Sequence, residues 1–275
     1  MNQIKLAMCN FIPEVGELKN TAQSLGFSGI DWTFTLDSLP RNLSEESRLL
    51  RAISSLDGFE IRYHCAFSEV DIGDVSTEKA DAALNLFLST CRLVHFLGGK
   101  YMTIHIGLGR DRTAGLSWER SIKKLKQLVR FAQSLGITIC LENLASGWSS
   151  RPELFEKLIR KADCAVTLDI GHALVSPSVQ CQQYSFEDFI VPHRRRILNA
   201  HIYHEETDNS HVAPKAVDDM KPRLDLLREL SCDWWVLELR EMAPLISTLD
   251  VVREYLESQN GAQGGPPDHA AILGR

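Results

Sequence analysis

Short apolar segments alternate with longer amphipathic ones along this chain, and the alternation repeats eight times. The short segments are IKLAMCN from Ile4, GIDW from Gly29, EIRYH from Glu60 and YMTIH from Tyr101. ITICLE from Ile137, AVTLD from Ala165, ILNAHIY from Ile197 and WWVLEL from Trp234 complete the set. All eight read as strands. Glu17–Leu25, Ser44–Leu56, Thr77–Leu97 and Trp118–Leu135 are the clearest helices. In the last, Ile122, Leu125, Val129 and Ala132 recur at helical spacing between lysines and arginines. Gly26, Gly98 and Gly136 each stand where a helix should close on a left-handed cap. Pro152 sits at a helix start, where its missing N–H costs little. Strands alternating with helices predict parallel β-α-β units. Eight units fit a single (β/α)8 barrel better than a doubly wound sheet. After the first strand, where a doubly wound fold carries its glycine-rich loop, stands Asn10-Phe11-Ile12-Pro13.

Polar residues close the later strands. His64, His105, Glu142, Asp169 (with His172 just beyond), His201 and Glu238 fall where buried segments should end. Strand side chains alternate faces. If Glu142 points into the barrel, Cys140 and Thr138 join it, and Leu141, Ile139 and Ile137 face the helices. The same parity puts Thr167 with Asp169, Thr103 with His105, Arg62 and Glu60 with His64, and Val236 with Glu238. One rule therefore sends every candidate inward and leaves an apolar outer face. In such barrels chemistry sits at the C-terminal rim, which is where these residues fall.

Taken singly, each has a plain structural reading. An inward histidine can be a hydrogen-bonded core residue, and Asp169 can be the cap of a following helix. Jointly they describe one site. Glu142, Asp169 and Glu238 would repel one another in a dry lumen unless protons or a cation intervene. A divalent cation resolves the conflict. Carboxylate and imidazole donors without thiolate suit Mn²⁺, Mg²⁺, Co²⁺ or Zn²⁺.

Composition narrows the setting. The chain has 275 residues, 44% of them hydrophobic, and a formal net charge of -6. With no long basic run, a dominant nucleic-acid or anionic-membrane role is disfavoured. Arg194, Arg195 and Arg196 form one short cluster, read as a solvated helix face or loop. The seven cysteines are odd in number and include no C-x-x-C pair, which points to reduced thiols. Neither a signal peptide nor a membrane span is evident, and a cytoplasmic location is expected. Residues 1–258 read as one barrel. Residues 259–275, rich in Gly, Pro and Ala, read as a disordered tail in which His269 plays no part.

The chain resembles the xylose-isomerase-like superfamily of barrels from residue 3 to about residue 257. The resemblance is carried by LENL around Glu142, TLDIGHA with Asp169 and His172, AHIYH with His201, LELRE with Glu238, and HIGLG after the fourth strand. It implies one divalent metal held by Glu142, Asp169, His201 and Glu238. His172 resembles a histidine that binds substrate or supports the metal shell. His64 and His105 match positions that line the sugar pocket in some members and bind further metals in the nuclease members.

The implied reaction is isomerisation or epimerisation of a small keto sugar or hydroxy-ketone, in carbohydrate metabolism. Glu142 would remove a proton and Glu238 return one to the opposite face, through an enediolate balanced by the metal charge. The implied partner is a small-molecule substrate, and a homo-oligomer is compatible with it. The alternatives are a lyase of the dehydroshikimate dehydratase kind, then a multi-zinc apurinic-site endonuclease, then a barrel that binds without turnover. The loop after the seventh strand departs from the family. His204 stands where many members have the aspartate of His-x-x-Asp. Asp208-Asn209-Ser210-His211 is one residue out of register with the nucleases' Asp-x-His. VAPKAVDD replaces a glycine-rich segment. Trp148 and Trp32 could stack on a sugar face or pack the wall. Arg240 could bind a phosphate or carboxylate, or serve a structural ion pair.

Overall fold

A computed structural model describes residues 3–67, 69–107, 113–207 and 210–262. The predicted strands all form: β1 (Lys5–Cys9), β2 (Gly29–Phe34), β3 (Glu60–Cys65), β4 (Tyr101–Ile104), β5 (Thr138–Glu142), β6 (Ala165–Asp169) and β7 (Ile197–Ile202). A short antiparallel hairpin follows, β8 (Glu205–Thr207) with β9 (Ser210–Val212), and then β10 (Trp234–Leu237). The parallel strands close in the order β1-β10-β7-β6-β5-β4-β3-β2. This is the expected (β/α)8 barrel. Its helices are α1 (Val15–Ser24), α2 (Leu43–Ser55), α3 (Thr77–Phe96), α4 (Trp118–Ser134) and α5 (Pro152–Ala162). They continue with α6 (Ile170–Val175), α7 (Pro177–Gln180), α8 (Lys221–Arg228) and α9 (Met242–Ala262).

The predicted punctuation has a physical basis in the backbone. Gly26, Gly98 and Gly136 adopt φ of +63°, +76° and +75°. In each case the glycine N–H and the next residue's N–H turn back onto carbonyls of the final helical turn, as Gly26 does to Gln23 and Phe27 to Ala22. Pro152 occupies the first turn of α5. The last helix runs to Ala262, past the expected boundary at residue 258, and Leu245, Leu249, Val252 and Tyr255 bury its inner face. The rest of the expected tail, 263–275 with His269, lies outside the described residues.

The strand parity separates two interiors. Ile30, Met102, Ile104, Leu141, Val166, Leu168, Trp235 and Leu237 are buried and pack under the helices in the main core. Ala7, Cys9, Trp234 and Val236 form a separate small cluster in the lumen. Polar side chains fill the remaining lumen and satisfy one another. The Arg62 guanidinium lies 4.2 Å from the Tyr101 ring centroid and 4.4 Å from that of Trp234. It donates to Glu60, to the Leu198 carbonyl and to Asn199 Oδ1. Above it Thr103 and Thr167 share a 2.8 Å hydrogen bond, and Asn199 Nδ2 donates to both. These layers close the barrel from below, as packed layers do in this architecture.

All seven cysteines are free thiols, and only Cys181 is exposed. Burial pushes Cys140, Cys164 and Cys232 up to about 12. The Arg194–Arg196 cluster lies in the turn before β7. There Arg194 pairs with Glu229 at 3.4 Å, and Arg196 pairs with Asp163 at 2.8 Å. Among the described residues no helix is long and apolar enough to cross a membrane.

His193, just before β7, is 3% exposed, stands edge-on to Phe155, and its Nε2 has no hydrogen-bond partner. Burial lowers its pKa from the ordinary 6.5 to about 4. Between these values the unfolded chain binds the extra proton. The stability that the neutral imidazole contributes is therefore intact above about pH 6.5 and is lost as pH falls toward 4, by up to about 1.4 kcal/mol per pH unit. Urea unfolding should show His193→Leu losing about 2 kcal/mol less than wild type on going from about pH 6.5 to pH 5. Equal losses in the two proteins would show that this imidazole is not the acid-sensitive group.

Candidate functional site

The β5, β6 and β7 ends deliver Glu142, Asp169 and His201, and the residue after β10 is Glu238. Each offers one donor atom, and these atoms lie within 4.8 Å of one another. Exposures are 0%, 0%, 0% and 3%. His201 Nδ1 is the hub, 3.1 Å from Glu142 Oε1, 2.9 Å from Glu238 Oε2 and 3.7 Å from Asp169 Oδ2.

The two oxygens of Asp169 divide their work. Oδ1 accepts from the backbone N–H of His172 at 2.7 Å and caps α6, so the capping reading is correct for that atom. Oδ2 is buried and accepts no hydrogen bond. Asn143, from the LENL motif, fixes the strand end. Its Nδ2 donates to the Asp169 carbonyl and its Oδ1 accepts from the Asp169 N–H, both at 2.8 Å.

Imidazoles surround the carboxylates. His64 Nε2 and His105 Nε2 lie 2.9 Å apart, and both lean on Glu142 Oε2, at 3.4 and 2.9 Å. His172 Nδ1 is 3.2 Å from Asp169 Oδ2, and its Nε2 is 3.2 Å from Glu206 Oε2. Protonation follows from this charge. Burial opposes charge on His201, but Glu142 and Glu238 outweigh it and hold its pKa well above the usual value. Burial is likewise outweighed at His172, by Asp169, Glu142 and Glu206. Burial alone would raise Glu142, yet His201 and His105 hold it well below the usual carboxylate range. His105 goes the other way, because its desolvation exceeds the pull of Glu142.

A cavity of about 580 Å³ opens above these groups. His64, His105, Glu142, His172, Glu238 and Arg240 line it, together with Glu206, His211 and Glu241. Trp148, an expected substrate contact, does not. Its ring meets Trp118 edge-on at 5.1 Å and covers Gly107, whose φ of +74° turns the loop beneath it. Trp32 packs against the main core. His204 does not line the cavity either. It is half-buried, with Nδ1 3.2 Å from Arg223 Nη2. Arg223 is itself buried, donates to the carbonyls of Ile170, His204 and Asp219, and so ties α6, the hairpin and α8 together.

Sequence reasoning missed Asp31 and Glu206 and undervalued His211. Asp31 is 1% exposed and its Oδ2 lies 3.6 Å from His64 Nδ1. A carboxylate inside the apolar segment GIDW was the available signal. Glu206 and His211 face each other across the β8–β9 ladder. The turn-forming pair Asp208-Asn209 hinted at that hairpin, although those two residues lie outside the described ones. His211 stacks on Tyr203 at 3.9 Å with rings 5° from parallel, and its Nδ1 donates to the Glu238 carbonyl at 2.5 Å. Besides the four-residue cage, His64–His105–Glu142 and His172–Glu206–His211 each bring three donor atoms close enough to hold an ion, as does Asp31–His64–His201.

A family model described as xylose isomerase-like TIM barrel matches residues 20–257. The chain belongs to that family. An uncharacterized protein of Methanocaldococcus jannaschii is 30% identical over 160 residues, 58% of this chain and 68% of that protein. Among solved structures, a D-tagatose 3-epimerase-like protein superposes with a TM-score of 0.74 at 16% identity, covering 95% of this chain and 100% of the other. Endonuclease IV from Thermus thermophilus gives 0.63 at 18%, covering 92% and 99%. At these identities the structural likeness establishes the shared fold.

Gly171, between Asp169 and His172, tests how tightly this rim is built. A Cβ there would lie 2.1 Å from Tyr203 Cε2, on a ring that is fully buried and carries His211. Gly171→Ala should cost about 1–3 kcal/mol of stability, seen as a lowered thermal midpoint. An unchanged midpoint would mean that Tyr203 is free to move.

Proposed function

We propose that this protein is a divalent-metal-dependent isomerase or epimerase of a small keto sugar or related hydroxy-carbonyl compound. One observation carries the reading. Two glutamates, Glu142 and Glu238, flank one imidazole at 3.1 and 2.9 Å beneath a cavity sized for a small molecule. The donor set fits a metal. Asp169 Oδ2 and Glu238 Oε2 are buried without a hydrogen bond, which is costly for a carboxylate unless a cation faces it. Glu142, Asp169, His201 and Glu238 would hold the ion, and all-oxygen and imidazole donation suits Mn²⁺, Mg²⁺, Co²⁺ or Zn²⁺. When bound, a divalent ion supplies the positive charge that acidifies a C–H beside a carbonyl and offsets the enediolate charge.

The chain's own residues supply the rest. Glu142 removes the proton and Glu238 returns one. Return to the opposite face gives an epimer, and return to the neighbouring carbon gives the aldose–ketose isomer. His64, His105 and His172 wall the cavity and donate to substrate hydroxyls. The fold shared with a D-tagatose 3-epimerase-like protein is in keeping with this.

A second reading has its own support. The additional groups His64–His105–Glu142 and His172–Glu206–His211 suit a multi-zinc hydrolase, and endonuclease IV shares the fold. The acidic walls of the cavity, with Glu206 and Glu241, oppose a polyanionic substrate.

Metal analysis of purified protein should find one tightly held divalent ion per chain. Incubation of candidate ketoses in D₂O should place deuterium on the carbon beside the carbonyl. Glu142→Gln and Glu238→Gln should each slow that exchange by about 100-fold or more. Metal-dependent phosphodiester cleavage without exchange would decide for the second reading. Exchange undiminished in both variants would remove the glutamates from their roles.

A further inference from the structure

Among the described residues that line the cavity, Arg240 is the only arginine or lysine. Glu142, Glu206, Glu238 and Glu241 line the same cavity. Arg240 is solvent-exposed and, among the described residues, forms no hydrogen bond or ion pair with those acids, which leaves its donors open to the cavity. Other arginines near functional or structural junctions are committed. Arg62 and Arg223 spend their donors on carbonyls and side chains, and Arg196 pairs with Asp163. The structural ion pair that the sequence left open for Arg240 is therefore not made. The hydroxyl residues Thr35 and Ser210 share its cavity. Pro244, in the first turn of α9, is also in the wall, and Glu241 stands at the start of that helix, its carbonyl accepting from the Leu245 N–H.

We propose that Arg240 is the anion anchor of this cavity, and that the substrate is a hydroxy-ketone bearing one phosphate or carboxylate at the end away from the cage. The inference rests on the isomerase reading and narrows its substrate class. A guanidinium presents a planar fork of donors that matches either anion in a bidentate pair. Arg240 follows Glu238 by two positions, across a turn in which the Leu239 N–H donates to the Leu237 carbonyl at 2.9 Å, and both residues line the same cavity. Glu206 and Glu241 disfavour a second anionic group.

Isothermal titration of the full-length, Mn²⁺-loaded protein tests this. The probes are dihydroxyacetone, dihydroxyacetone phosphate and hydroxypyruvate, which share a three-carbon hydroxy-ketone frame and differ in charge. One anionic probe should bind at least ~30-fold more tightly than dihydroxyacetone, and which one it is separates phosphate from carboxylate recognition. In Arg240→Gln that ratio should fall to within about threefold, with Arg240→Lys in between. A wild-type protein that does not discriminate overturns the proposal. So does a ratio that survives in Arg240→Gln, since the anion would then be held by the metal. Solvent deuterium exchange on the same probes keeps the two ideas apart. Arg240-dependent discrimination without exchange supports the anchor and removes the isomerase reading. Exchange on dihydroxyacetone with no discrimination does the reverse.

Discussion

Three carboxylates, Glu142, Asp169 and Glu238, are held together out of water, and the rest of the rim answers to that charge. Their donor atoms lie within 4.8 Å of one another and of His201, and none of the three is more than 3% exposed. Like charges at such distances in a dry site cannot stand alone. Without a metal, the compensation falls on imidazoles. His201 and His172 are pushed toward the charged form against their own burial, and Glu142 is held ionised by them. A divalent ion would take over that task and release the protons. The charge at the rim thus favours a cation among these side chains.

Holding such a site requires a floor that does not yield. The lumen below is closed by Arg62 between two aromatic rings and by the Thr103–Thr167–Asn199 network, in which the hydrogen bonds are mutual. Laterally, Asn143 clamps the end of β6 through two 2.8 Å bonds. Above, the hairpin is tied to the cage twice, through Glu206 to His172 and through His211 to the Glu238 carbonyl. Arg223 secures the base of that hairpin from behind by donating to the His204 carbonyl. The geometry of these four side chains therefore depends on residues spread over most of the barrel, which is how a rigid scaffold supports a precise site.

What was legible in the sequence was what strand periodicity encodes. All eight barrel strands, the inward parity of Thr103, Thr167, Glu142 and Glu238, and the glycine caps follow from local pattern, because each depends on a repeat of two or on a backbone angle. The cage residues were visible because they end apolar runs. Asp31 was not, because it sits inside a run and its meaning depends on His64 from the next strand. Glu206 and His211 were obscured for another reason. Hairpins of three-residue strands carry almost no periodicity, and the pairing that opposes these two residues is a tertiary fact. Trp148 had two readings, a sugar platform or wall packing, and periodicity could not choose between them because its contacts with Trp118 and Gly107 are tertiary.

The two glutamates are not equivalent in how their oxygens are held. Both oxygens of Glu142 are engaged, Oε1 with His201 at 3.1 Å and Oε2 with His105 at 2.9 Å. Glu238 is held more loosely, since its Oε2 faces His201 at 2.9 Å without the geometry of a hydrogen bond. A proton taken up by Glu142 would weaken its contact to His105, whose own pKa is lowered by burial and which is therefore a poor proton store. A proton on Glu238 would likewise weaken its contact to His201, which against the effect of burial, and with His211, holds this carboxyl well below the usual range. Imidazoles therefore hold both carboxyls ionised, Glu142 through His201 and His105 and Glu238 through His201 and His211, and the two differ in how firmly their oxygens are fixed rather than in charge.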